Sequence, residues 1–114
     1  MKLTCGNGNE VYMVTATYIF NEEKVIAAGK TVEEMMAPIR KMLLENGAEE
    51  IAPGVFCKDG FYAMDVIDLP LIYIRKHLKY LDALDIWTMD IDGEVEDCKE
   101  GMINYYKKRG YALE

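Results

Sequence analysis

The sequence predicts an α+β fold: an antiparallel sheet of about five strands with three helices packed mainly on one face, in the order (β)ββαββαβα. Segments that alternate apolar and polar residues, as strands do, are separated by Asn-Gly and Asp-Gly pairs, which favour tight hairpins. Other segments have helical spacing and need a sheet face to cover. A chain of 114 residues with 51% hydrophobic and 29% charged residues is typical of one folded domain, here 1–114.

The N-terminal segments are predicted to be strands. We expect a short strand at Lys2–Cys5, a turn at Gly6–Asn9, the clearest strand at Glu10–Phe20 and another at Lys24–Ala28. From position 12 to position 20 every second residue is aliphatic or aromatic, which places these side chains on one face of the sheet.

A helix follows, and its first residues form a capping box. The Thr31 hydroxyl can accept a hydrogen bond from the backbone of Glu34 while the Glu34 carboxylate reaches back. Apolar residues then recur at helical spacing until Asn46-Gly47 closes the helix. Pro38 lacks a backbone donor, so we expect either a kink there or a helix that begins near Ala37.

The remaining chain is predicted to add a hairpin, two helices and a strand. The hairpin pairs Ile51–Lys58 with Phe61–Ile67 around Asp59-Gly60, and Asp68 then caps a helix with Pro70 in its first turn that runs to about Tyr80. A strand at Leu84–Ile91 precedes a last helix, capped by Asp92, from about Gly93 to Arg109.

The whole net charge of the chain is concentrated between residues 82 and 100. This stretch contains one base, Lys99, and eight acids: Asp82, Asp85, Asp90, Asp92, Glu94, Glu96, Asp97 and Glu100. Its balance of −7 equals that of the entire protein. Charge concentrated in this way attracts cations or basic partner surfaces, so these eight residues are the predicted partner-binding site.

Metal binding and helix capping are two structural roles that the same acids could fill. An EF-hand loop from Thr88 to Lys99 would have Thr88 where a carboxylate ligand is needed and Lys99 where a bidentate Glu is required. The sequence therefore predicts no specific metal site. The positive end of the last helix dipole would account for Asp92, Glu94, Glu96 and Asp97. It would leave the remaining four acids without a structural role.

Enzymatic chemistry has little support in the sequence, and we expect neither catalytic residues nor a cofactor. His77 lies in a cationic helix segment with no evident orienting partner, which is typical of a solvated side chain. Cys98 lies among acids that would raise its pKa, and Cys57 lies in a predicted strand, so both are expected to be structural thiols. Cys5 gives no sign of reactivity either.

Two basic clusters interleaved with tyrosines, Arg75–Lys79 and Lys107–Arg109, are compatible with single-stranded nucleic acid. Net negative charge argues against direct nucleic-acid binding, because a phosphate backbone would repel the protein. The simpler interpretation is helix-terminal charge and core-edge tyrosines.

The cellular setting is also constrained. Three widely spaced cysteines without a Cys-x-x-Cys pair suit a reducing compartment, and the N-terminus has no apolar secretory segment. No apolar run approaches the ~20 residues that span a bilayer. A cytoplasmic protein without membrane attachment is expected.

In size and charge distribution, though not by any motif, the chain is similar to small acidic phage inhibitors of nucleic-acid-handling defence enzymes. This resemblance implies a non-enzymatic module, of the anti-CRISPR or anti-restriction type, that binds and inhibits or regulates a basic protein partner by imitating part of a phosphate track. The alternative is a small-molecule-binding or regulatory α+β domain that acts as a homodimer.

Overall fold

The structure, a computed structural model, describes residues 13–60 and 62–108. The strands are β1 (Met13–Phe20), β2 (Glu49–Ala52), β3 (Val55–Asp59), β4 (Leu84–Ile91) and β5 (Glu94–Asp97). The helices are α1 (Glu22–Ala27), α2 (Val32–Glu45), α3 (Ala63–Ile67), α4 (Leu69–Lys76), α5 (Leu78–Ala83) and α6 (Cys98–Lys108). The strands form one antiparallel sheet in the order β2-β3-β1-β4-β5. The predicted α+β class and five-stranded antiparallel sheet are confirmed, with more helical segments than the three expected.

Strand β1 is central and supplies one face of the core. Val14, Ala16, Tyr18 and Phe20 are buried, as the alternation predicts. The Tyr18 ring lies between its neighbours on the sheet, stacked 6.2 Å from Trp87 of β4 and edge-on at 6.1 Å from Phe56 of β3. Helical residues complete this single core, among them Val25, Met36, Ile39, Ile67, Ile74 and Leu81.

The capping box of α2 is confirmed. The Glu34 backbone N–H donates to the Thr31 hydroxyl at 3.0 Å, and the Thr31 N–H donates to the Glu34 carboxylate at 2.9 Å. The helix therefore begins at Val32 rather than near Ala37, and Pro38 lies inside it. Asn46 is the residue that ends it, as predicted.

The predicted strand at Lys24–Ala28 is wrong, because these residues belong to α1. The Asn21 side chain accepts a hydrogen bond from the Lys24 N–H at 2.9 Å and so caps a helical turn. Only Val25 of this helix is buried. A short apolar run fits either period, and here the cap determines the outcome.

The hairpin predicted around Asp59-Gly60 is wrong, because the turn lies at Pro53-Gly54, between β2 and β3. Gly54 has φ +76° and its carbonyl accepts a 2.8 Å hydrogen bond from the Tyr18 N–H. A Cβ at this position would meet the Tyr18 carbonyl oxygen. Of the residues predicted to form the second strand, Ala63–Ile67 form α3 instead, with Ala63 and Ile67 buried at helical spacing, and Phe61 lies outside the described residues.

Several expectations lie outside the described residues. These are the strand at Lys2–Cys5, the turn at Gly6–Asn9, and the part of the predicted strand Glu10–Phe20 that precedes Met13. The role of Cys5 and the end of the last helix at Arg109 also lie outside them. None of the described helices combines the length and the apolar character needed to cross a membrane.

The Gly54 contact yields a prediction with a matched control. Gly29 and Gly54 have almost the same φ, +77° and +76°, but a Cβ at Gly29 has no neighbour within 4 Å. Both Gly→Ala changes should cost about 1–2 kcal/mol because the left-handed region disfavours Ala. Gly54→Ala should cost a further ~1–3 kcal/mol for the steric conflict with β1, measured by urea unfolding. Equal destabilisation of the two variants would show that the close approach of Gly54 to Tyr18 is unimportant.

Candidate functional site: an acidic corner and a basic groove

Strands β4 and β5 form a hairpin that the sequence pattern did not predict. Asp92 and Gly93 both have positive φ, 52° and 97°, as a type I′ turn requires. Asp90 accepts a 2.7 Å hydrogen bond from the Gly93 N–H, and Asp92 accepts one of 2.8 Å from the Met13 N–H. The predicted helix cap at Asp92 is therefore wrong: Asp-Gly makes a hairpin turn, and the two aspartates hold it.

The last helix begins later than predicted, at Cys98. The Asp97 carboxylate accepts a 3.0 Å hydrogen bond from the Glu100 N–H, so Asp97 rather than Asp92 caps α6. Only Asp97 and Glu100 lie at the positive end of this helix. The helix dipole thus stabilises fewer acids than the four expected.

Glu94 and Glu96 lie on β5, an edge strand whose residues are all exposed. Neither carboxylate forms an ion pair with another described residue. Lys99, the one base of the acidic stretch, donates instead to the Leu84 carbonyl oxygen at 2.5 Å. The local positive charge is therefore directed at the backbone of β4 and leaves the strand's carboxylates uncompensated.

A cleft of about 530 Å³ between β4 and α6 joins Asp85 to this surface, since Asp85, Asp97 and Glu100 line it together. The remaining predicted site residue, Asp82, lies apart on α5, where it pairs with Lys24 at 3.7 Å. We call the other seven acids the acidic corner: Asp85, Asp90, Asp92, Glu94, Glu96, Asp97 and Glu100. Seven of the eight predicted residues thus follow the β4–β5 hairpin and the start of α6, with Glu94 and Glu96 on one face of the sheet and Asp90 and Asp97 on the other.

Behind the corner lies a partly buried group of acids around Cys98. Burial raises the pKa of the Cys98 thiol to about 11, and the charges of Glu96, Asp68 and Asp97 contribute. The rise agrees with the sequence-based expectation and keeps the thiol protonated at neutral pH. Cys57 is a buried free thiol. Among the described residues, no group of His, Cys, Asp and Glu is arranged to hold a metal ion.

Asp68 belongs to this group and does not form the predicted side-chain cap. It occupies the cap position of α4, but its side chain makes no capping hydrogen bond. Burial raises the pKa of its carboxyl, and repulsion from Asp65 and Glu96 adds to the rise.

A second candidate site is a groove of about 1070 Å³ on the other side of α5, which no sequence motif indicated. Its lining includes four lysines and three rings in mutual contact: Lys24, Lys30, Lys79, Lys99, Tyr73, His77 and Tyr80. Alanines of α1 and Met35, Leu81, Ala83 and Ile103 make the rest of the lining largely apolar. The predicted solvated His77 is exposed, but it is part of this groove.

His77 also breaks the helix that was predicted to continue to Tyr80. The ring Nδ1 lies 2.8 Å from the Tyr73 carbonyl oxygen, and the backbone N–H of His77 donates to Ile74 instead. A side chain has thus taken the carbonyl that the next helical turn would use. Helical spacing alone gives no sign of such competition, so α4 and α5 are two helices.

Comparison with known proteins finds no matching family model, curated protein or solved structure. The geometry and charge of the two surfaces carry the functional inference.

The raised pKa of Asp68 predicts a pH-dependent stability. A carboxyl whose pKa is higher in the folded state binds its proton more tightly there, so protonation stabilises the fold. This stabilisation is complete below the unfolded-state pKa of about 3.8. It is lost as the pH rises through the folded-state pKa. Asp68→Asn should therefore raise the melting temperature more at pH 7 than at pH 3. Glu45→Gln, at an exposed carboxylate, is the control and should show no such difference. Destabilisation by Asp68→Asn at pH 7 alone would indicate instead that the charged carboxylate makes a stabilising bond.

Proposed function

We propose that the protein is a non-enzymatic interaction module whose acidic corner binds a basic surface of a partner protein. The observation that carries this proposal is the placement of seven acids along the β4–β5 hairpin and the start of α6, with Lys99 turned onto the backbone. The seven carboxylates of the corner outnumber the two bases that line the cleft, Lys99 and Lys107, and the resulting negative field accelerates association with a cationic surface.

The corner offers two modes of contact to such a partner. Within the described part of the sheet β5 is an edge strand, and no described strand pairs with its outer backbone groups, so an added strand can pair there. Side chains at alternate positions, such as Glu94 and Glu96, repeat about every 7 Å on one face of it. The neighbouring cleft, lined by Asp85, Asp97 and Glu100, has room for an arginine or lysine of the same partner.

The class of partner we favour is a nucleic-acid-handling protein. A row of carboxylates imitates part of a phosphate backbone, and a basic groove built for DNA or RNA would accept it. Double-stranded DNA carries one charge per ~1.7 Å of axis, so seven acids correspond to a short segment. The concrete form is a cytoplasmic inhibitor of a defence nuclease, of the phage-encoded anti-CRISPR or anti-restriction type.

The alternative is a small-molecule-binding or regulatory domain that acts as a homodimer. The basic groove favours small-molecule binding, because small-molecule sites are concave, largely apolar and about 300–1000 Å³ in volume. The two functions use different surfaces, so variants can separate them.

Charge reversal tests the acidic corner directly. Glu94, Glu96 and Glu100 make no side-chain hydrogen bond with another described residue, so changing all three to Lys should leave the fold intact. Binding to poly-L-lysine, followed by fluorescence titration, should weaken at least tenfold. Binding by the parent should also fall steeply between 50 mM and 300 mM NaCl, because exposed charges are screened.

The matched control reverses Glu22, Glu23 and Glu45, three exposed acids outside the corner, and so makes the same change in net charge. It should bind almost as the parent does. Equal weakening of the two triple variants would mean that net charge rather than the corner governs binding. The nuclease proposal is tested by DNA-cleavage assays with CRISPR effectors and restriction enzymes: inhibition that is lost only in the corner variant supports it, and absence of inhibition across the panel rejects it.

A further inference from the structure

The groove between α1, α5 and α6 is basic although the protein is acidic. Four lysines line it against two acids, Glu34 and Asp82. Both acids are already engaged, since Glu34 accepts from the Thr31 N–H and Asp82 pairs with Lys24. The lining therefore has four positive charges against two negative ones, and an anion entering the groove meets a net positive charge.

Two of the lysines are available to a ligand. Lys24 is held by Asp82, and Lys99 donates to the Leu84 carbonyl. Lys30 and Lys79 are exposed and form no side-chain bond with any other residue in the described part of the chain. They are contributed by different segments, the loop after α1 and helix α5, and both line the groove.

The lining of the groove also contains a group of aromatic rings. The His77 ring stacks on Tyr73 with centroids 4.2 Å apart and an interplanar angle of 23°, and Tyr80 meets Tyr73 edge-on at 5.2 Å. Because His77 is exposed, a further flat ring can stack on this array. Its Nδ1 faces the Tyr73 carbonyl, which only accepts, so in the neutral ring Nδ1 carries the proton and Nε2 is a free acceptor.

We propose that this groove binds a nucleotide, with the base stacked on the His77–Tyr73 pair and the phosphates held by Lys30 and Lys79. The apolar side chains of Met35, Leu81 and Ala83 provide a floor for the sugar and the base. Stacking on aromatic rings and charge-assisted bonds to phosphate are the two interactions by which proteins hold such ligands.

Calorimetric titration with ADP, GDP, CDP and UDP tests the proposal on the full chain. At least one nucleotide should bind saturably with a Kd below about 1 mM, and adenosine or inorganic pyrophosphate alone should bind at least tenfold more weakly. Lys30→Gln and Lys79→Gln should each reduce nucleotide affinity about tenfold, the loss expected for one charged hydrogen bond. Lys76→Gln, at an exposed lysine of α4 that does not line the groove, should have no effect.

The His77→Ala variant separates the contribution of ring stacking to nucleotide affinity from the contribution of the lysine charges. It should weaken nucleotide binding while leaving the weak binding of pyrophosphate unchanged, and circular dichroism checks that the helices persist. Absence of binding by all four nucleotides overturns the proposal, as does binding that the two lysine variants do not weaken. Pyrophosphate binding as tight as ADP would show an anion site without base recognition, and affinity that rises with oligonucleotide length would show a strand-binding surface; either result also overturns it.

Discussion

Strand β1 and its register against β3 and β4 determine where the rest of the molecule lies. A shift of one residue would turn its buried face outward, and the Tyr18–Gly54 hydrogen bond holds the register on one side. Where β1 ends, the Asn21 N–H donates to the Ala83 carbonyl at 2.7 Å. That bond ties the start of α1 to the end of α5. Pairing in the sheet thus sets the two helices that form opposite walls of the basic groove.

The acidic corner and the basic groove are neighbours that share two residues of α6, Lys99 and Ile103. Lys99 lines both the cleft beside β4 and the groove, and its ammonium is bonded to the Leu84 carbonyl between them. Helix α6 therefore contributes Glu100 to the cleft alone and Lys99 to both sites. Opposite charges can lie this close because the intervening lysine is fixed by the backbone and is not drawn to the carboxylates.

Much of the sheet can be predicted from the sequence, because strands β1 and β4 are long and their residues alternate clearly. The capping box of α2 is a local signal and is equally predictable. Choices between two local signals, such as Asp92-Gly93 as turn or cap, are not. The groove could not be predicted from the sequence, for two reasons. The residues of α1 also fit a strand pattern, and residue spacing gives no sign that the His77 ring competes for a backbone carbonyl. Most residues of the acidic corner can be predicted from the sequence, because acids that are close along the chain stay near one another even where the secondary structure is predicted wrongly.

The edge position of Glu94 and Glu96 has a consequence for the protein in concentrated solution. An exposed edge strand is a template for unwanted sheet growth, and many proteins protect such edges with charge. If β5 of one molecule approached β5 of another, glutamates would face glutamates and repulsion would oppose the pairing. The negative charge of β5 therefore disfavours pairing with a second copy of the same strand and still permits pairing with a positively charged strand. Charge selects which strands can extend the sheet.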